Sequence, residues 1–184
     1  MRALPICFLF VALSASAQGP GRGASAEKSS IVIVQNASVG DADEHGATAG
    51  ALVADAVDSV TIAIAIRDAE GEPIADLPVR IEVTGSRNVV TPAATSFTDT
   101  NGLFIANLTT TAAEVKTISV VANPGPAEVV LHEHPTVAFR AGPATHVDVA
   151  LDGNGKNATL TARDFFGNLA GEYRTVVETN ASEH

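Results

Sequence analysis

From Ser30 onward the chain alternates apolar and polar residues in short runs. A two-residue period places successive side chains on opposite faces of an extended segment, so each such run predicts a half-buried β-strand. The clearest is SVTIAIAIRD, where Val60, Ile62, Ile64 and Ile66 share one face and Thr61, Ala63 and Ala65 share the other. PVRIEVTG repeats the pattern, with Val79, Ile81 and Val83 inward and Arg80 and Glu82 outward. SIVIVQN, TSF, GLFIANLTTT, VKTISVVA, AEVVLHE and TVAFRAG complete the series, and they supply Phe104, Ile118, Val120 and Phe139 to the expected core. Short strands at this spacing, with hardly a helical period, predict an all-β fold of two packed antiparallel sheets.

The connections carry turn chemistry. In RDAEGEPIADLPVRIEV, Gly71 is free to take φ > 0 and Pro73 fixes the exit, so the stretch is expected to be the turn of a β-hairpin joining the two strands around it. Asp99-Thr100-Asn101-Gly102 marks another turn. GDADEHGATAG has no apolar period and is expected as a loop. EHGATAGALVADAVD has alanines enough for a brief helix, but a loop is expected there too.

After Gly142-Pro143 the pattern starts again, with ATHVDVALDG, ATLTARDF and FGNLAGEYRTVVETN as new strands. RDAEGEPIADLPVRIEV and RDFFGNLAGEYRTVVET both open on Arg-Asp, place a glycine three residues after the Asp, and run into a β segment. Arg67 and Arg163 thus mark a module-length repeat. The sequence predicts one module over residues 30–141 and an incomplete second over 142–184. So short a segment without disulfide or metal seldom buries enough apolar surface to fold alone. Either the gene product continues beyond His184, the favoured expectation, or the tail packs on the first module.

Composition sets the compartment and excludes several functions. Arg2, the apolar run Leu4–Leu13 and Ala15-Ser16-Ala17 have the layout of a secretory signal peptide, expected over residues 1–17. Residues 18–29 are small and polar and are expected to form a flexible tail. No later run is long and apolar enough for a membrane span. The only cysteine, Cys7, lies inside the leader, so the exported chain has no disulfide, thiol nucleophile or thiolate metal site. The 21 acidic residues outnumber the 11 basic ones, for a net charge of −10, and such a surface repels phosphate backbones. Nucleic acid is therefore not an expected partner. With no tryptophan and one tyrosine there is little material for stacking sugars.

Several of these residues together resemble the bacterial immunoglobulin-like domains of the invasin/intimin type. They are Ala54-Asp55 ahead of a strand, Asp58-Ser59-Val60-Thr61 opening it, and the turn Asp68-Ala69-Glu70-Gly71-Glu72-Pro73. Pro78-Val79, the Thr-Asp-x-Asn-Gly turn at 98–102 and Phe139 follow in order. The resemblance covers roughly residues 50–141, and residues from 142 look like the opening of a related repeat. Ala56 departs from the pattern, standing where a glycine is usual, and Glu70 and Glu72 replace asparagines. The resemblance implies an immunoglobulin-like β-sandwich used as a spacer, often in tandem, in surface or secreted adhesins. Its implied partners are neighbouring Ig-like modules and a host or cell-surface protein, and its implied place is the cell surface, the outer membrane or the medium, with the periplasm as a further option.

Candidate chemistry is sparse. Asp68, Glu70, Glu72 and Asp76 come at steps that suit calcium, but an EF-type loop needs a fixed glycine and a terminal glutamate that are missing, so they are expected to be solvated acids of a hairpin. Asp41 to His45 gathers three carboxylates and an imidazole, and is expected to be a solvated loop. His132 and His134 are expected on one strand face, spaced to share a zinc ion but without a third ligand. No Gly-x-Ser-x-Gly elbow or phosphate loop is present. Asn36, Asn107, Asn157 and Asn180 head Asn-x-Ser/Thr sequons, which are expected by chance in a chain this rich in Asn, Ser and Thr and carry little weight if the source is bacterial. No catalytic residue, metal ligand or cofactor is assigned. A small metal- or ligand-binding periplasmic protein and an accessory module of a larger secreted enzyme are the competing functions.

Overall fold

The computed structural model describes residues 23–36, 52–92, 95–153 and 155–176. The leader, the 40–50 loop with Asp41–His45, and Asn180 lie outside the described residues. Those described form only strands, turns and irregular segments.

Two sheets face one another. The first has the order β1-β3-β7-β5, from Ser30–Asn36, Ser59–Ala65, Leu103–Thr110 and Asn88–Thr91. The second has the order β2-β10-β8-β4-β6, from Leu52–Val53, Thr136–Arg140, Val115–Ala122, Pro78–Val83 and Thr95–Phe97, with β9 (Val129–Val130) also paired to β8. All pairings are antiparallel except β2 with β10. The chain is therefore an antiparallel β-sandwich, as the alternation predicts. Between the sheets lie Val60, Ile62, Ile64 and Ile66, all fully buried, against Val79, Ile118, Val120 and Phe139. Ile81 and Phe104 complete this core, and Val83 is only partly buried at its margin. A core of these β-branched residues supplies the apolar burial that a fold without a disulfide depends on.

Two expectations change. β3 and β4 do not form a hairpin: they lie in different sheets. Residues 68–72 do turn tightly, and Arg67 bridges to Pro73, but the chain then leaves its sheet. Ile74 is buried in the core and Thr98, itself buried, holds the crossing segment. The Thr98 hydroxyl donates to the Ile74 carbonyl (2.7 Å) and accepts from the Leu77 N–H (3.0 Å). The apolar Ile74 between two strands is the reason: it anchors the crossing in the core, where a hairpin would expose it. The second change is at 52–53, expected as loop, which pairs in parallel with Phe139 and Arg140 as β2.

A third sheet follows, in the order β11-β12-β13, from His146–Leu151, Asn157–Arg163 and Leu169–Val176. Its strands fall where the renewed alternation places them. One face presents Val147, Val149 and Leu151, all more than half exposed, beside Tyr173. Among the described residues no second sheet covers that face.

One turn recurs four times. Asp68, Asp99, Asp152 and Asp164 each stand three residues before a glycine of positive φ, at Gly71, Gly102, Gly155 and Gly167. In each, the glycine N–H donates to the aspartate carbonyl, and one carboxylate oxygen accepts two further backbone N–H groups. Glycine is needed because the return bend takes the left-handed region, where a Cβ is strained. Aspartate is needed because its short carboxylate reaches its own backbone, two and four residues on at Asp68, Asp99 and Asp164 and four and five residues on at Asp152.

Candidate functional site

The turns at Asp68 and Asp164 are 96 residues apart in the repeat and nearly superimposable in their hydrogen bonds. Asp68 N–H donates to the Glu72 carbonyl at 3.0 Å, and Asp164 N–H donates to the Asn168 carbonyl at the same distance. Asp68 Oδ1 accepts from the N–H groups of Glu70 (3.0 Å) and Glu72 (2.8 Å). Asp164 Oδ1 accepts from those of Phe166 (2.9 Å) and Asn168 (2.8 Å).

The second turn does something more. Asp164 is 2% exposed, and its other oxygen, Oδ2, accepts from the Gly142 N–H (3.0 Å) in the segment that leaves β10. It also accepts from Asn168 Nδ2 (2.8 Å), which fixes the amide. Asn168 then reaches across to the sandwich: Nδ2 donates to the Thr111 carbonyl (3.1 Å) and Oδ1 accepts from the Ala113 N–H (3.0 Å). Both groups belong to the β7–β8 connection. A third tie comes from Arg87, whose Nη1 donates to the Phe166 carbonyl at 2.9 Å. The third sheet is thus fastened to the end of the sandwich by an aspartate that holds the connecting segment and an asparagine that holds the facing loop.

Electrostatics favours the joint. Burial alone pushes the Asp164 carboxyl upward, but the Asn168 amide and the N–H groups of Gly142, Asn168 and Phe166 outweigh it, so its pKa is lowered. Just behind, Lys116 is fully buried on the inward face of β8, its ammonium bound to the Glu114 carboxylate and to the Ser86 carbonyl (2.7 Å). Glu114 also accepts from the Ser86 N–H (2.7 Å). Its pKa is lowered, chiefly by the Lys116 hydrogen bond and then by the Ser86 N–H. This pair holds the loop that carries Arg87.

Asp68 is 1% exposed, which corrects the expectation of a solvated acid: its carboxylate is consumed inside the turn. Glu70, Glu72 and Asp76 are exposed. His132 and His134 are exposed, but they lie in an irregular segment after β9 rather than on a strand, because Pro135 follows and β10 begins only at Thr136. His134 sits 3.1 Å from the Ser119 hydroxyl. Among the described residues no three His, Cys, Asp or Glu side chains converge as a metal site. Asn36, Asn107 and Asn157 are all on strands. Asp164, Asn168 and Lys116 escaped sequence reasoning. Asp164 was marked by the repeat, and Lys116 by falling in step with Ile118 and Val120.

Residues 45–132 match the model of the bacterial Ig-like domain (group 1). Among solved structures, invasin, a bacterial integrin-binding protein, aligns with a TM-score of 0.50 at 22% identity, over 80% of this chain and 28% of the invasin chain. FdeC, an adhesin of Escherichia coli, aligns with a TM-score of 0.50 at 20% identity, over 81% of this chain and 45% of its own. This chain therefore spans less than half the length of either, and at these identities the likeness is one of fold. No curated protein matches the chain in sequence.

Proposed function

Because residues 45–132 match the bacterial Ig-like domain model, we propose that this chain is a non-catalytic spacer of an exported adhesin. Residues 1–17 are its signal peptide and residues 142–184 begin a second Ig-like repeat. What supports this reading above all is the joint: Asn168 of one repeat grips Thr111 and Ala113 of the preceding one, and Asp164 holds Gly142 where the two meet. A spacer needs defined angles between successive modules, and side chain-to-backbone hydrogen bonds across a joint provide them. The bonds use backbone groups, so any module ending in a comparable loop is a suitable neighbour. The partners are neighbouring Ig-like modules in tandem, with a host or cell-surface protein engaged elsewhere in the assembled adhesin, at the cell surface.

Immunoblotting of fractionated source cells with an antibody to this module tests the reading. The expected result is a band far above the 18.8 kDa of this chain, in the envelope fraction, whose tryptic peptides include further Ig-like repeats. A band of about the chain's own mass in the cytosol overturns it, and so does a large product whose other peptides belong to an enzyme.

A further inference from the structure

The two outer faces of the sandwich differ in kind. On the second sheet, Arg80 pairs with Glu82 and Glu128, and Arg140 projects from β10. On the first sheet, no outward-facing position of β1, β3, β7 or β5 carries a charge. Instead Val32, Val34, Ile105 and Val89 are each more than half exposed, and Leu103 is 38% exposed. The register joins all of these but Val89, which lies beside Thr109 beyond the row of Thr61, Asn107 and Thr91. Val32 lies beside Ala63, which lies beside Ile105, and the next row is Ser30, Ala65 and Leu103. A contiguous apolar face of this kind is an interaction surface rather than ordinary scatter of exposed aliphatics.

The polar residues at its border are already satisfied by one another. Asn36 Nδ2 donates to the Thr61 hydroxyl (2.9 Å), which donates to Asn107 Oδ1 (2.8 Å), forming a ladder across three strands. Polar groups paired within the face lose fewer water contacts when the face is covered.

We propose that this face packs against the same face of a second copy of the chain. Charge selects the occupant. The chain carries a net charge of −10, so two copies repel over most of their surfaces, and the charge-free sheet is where they approach at least cost. A basic or acidic partner gains no ion pair there. Shape agrees, since two sheets stack about 10 Å apart through interleaved aliphatic side chains, as the two sheets do inside this sandwich. Three strands of seven or eight residues and the four-residue β5 give a footprint of at most about 19 by 23 Å, no more than roughly half the ~800 Å² per partner of a standard stable interface. The pairing is therefore weak and reversible, an association that becomes effective where copies are concentrated side by side.

Salt distinguishes this contact from an ionic one. Screening removes the repulsion between acidic surfaces, so the pairing strengthens as salt rises, whereas contacts built on ion pairs weaken. Sedimentation equilibrium of the purified chain, from about 10 µM to about 1 mM, is expected to show a weight-average mass climbing toward twice the monomer. The climb is expected to be steeper at about 500 mM than at about 20 mM sodium chloride. Ile105→Lys and Val32→Lys, both at exposed positions of one row, are expected to keep the wild-type melting temperature and to abolish the climb. Glu82→Lys on the charged sheet and Val149→Lys on the third sheet are expected to retain it. A wild-type chain that stays monomeric throughout overturns the proposal. So does association that survives both lysines on the first sheet, or that is lost only with Val149→Lys, which would assign it to the exposed face of the third sheet.

Discussion

At the scale of single residues, two positions store or spend energy in ways the sandwich makes plain. Ala56 has φ +65°, and its N–H donates to the Thr110 carbonyl at 3.1 Å, which holds it there. Left-handed backbone costs a residue with a Cβ about 1 kcal/mol or more, and the resemblance expects glycine at this place. Ala56→Gly is therefore expected to raise the unfolding free energy by about 0.5–1 kcal/mol, after the added freedom of glycine in the unfolded chain is counted; urea denaturation reads it directly. Glu114 is the second position. Its lowered pKa means that the native state favours the carboxylate more than the unfolded chain does. That stability is complete above the unfolded value and is lost as pH falls through the lower folded value. Glu114→Gln should flatten this part of the acid limb when melting temperature is followed from about pH 7 to about pH 3; an unchanged limb would remove Glu114 from the account. The departure at Ala56 was legible in the sequence. The Glu114–Lys116 pair was not, since the step with Ile118 and Val120 points Lys116 inward but does not show that the Glu114 carboxylate and the Ser86 carbonyl meet its ammonium there.

At the scale of elements, the alternation of Val60–Ile66, Val79–Val83 and Ile118–Val120 was enough to give strands and their inward faces, because burial follows the period directly. It was not enough to give connectivity. Whether β3 pairs with β4 or crosses to the other sheet depends on Ile74 and Thr98, one inside the crossing segment and one just after β6. β5 was missed because its burial alternates weakly, with Val90 only partly covered. The aspartate–glycine turns show how local and tertiary demands separate. Gly71 and Gly102 both have positive φ, at +88° and +72°. A Cβ on Gly71 would meet nothing within 4 Å, whereas one on Gly102 would stand 2.5 Å from the Ile66 carbonyl oxygen. Gly71→Ala is expected to cost about 1 kcal/mol, for backbone strain alone. Gly102→Ala should cost at least twice that, because the Ile66 backbone of the core strand must also shift. Equal losses in chemical denaturation would mean that the Gly102 turn relaxes without disturbing β3.

At the scale of the whole molecule, the question is what makes two sheet assemblies behave as one body. The third sheet exposes Val147, Val149, Leu151 and Tyr173 and shares little core with the sandwich. Its orientation rests on the Asp164–Asn168 turn and Arg87. The repeat of Arg-Asp-x-x-Gly announced that turn, but only the fold revealed that position 168, occupied by Asn where the first copy has Glu72, faces the Thr111–Ala113 loop. Asn168→Ala removes the bonds to Thr111 and Ala113 and leaves the backbone bonds to Asp164 Oδ1 in place. The expected outcome is a selective loosening: amides of Ala113 and Gly142 exchange faster with solvent, the segment after Gly142 is cut sooner by a protease, and the melting temperature of the sandwich stays put. Asp164 adds a pH dependence with a definite sign. Because its pKa is lowered in the folded state, the joint holds above the ordinary carboxylate value and loosens as pH falls through the lower one. In the wild-type chain the protection of Gly142 should therefore collapse in acid before the core amides of Ile62 and Val120 do. Asp164→Asn should show fast Gly142 exchange already at neutral pH. Protection of Gly142 that tracks the core amides at every pH, in both chains, would mean that the two assemblies open together and that the joint has no independent equilibrium.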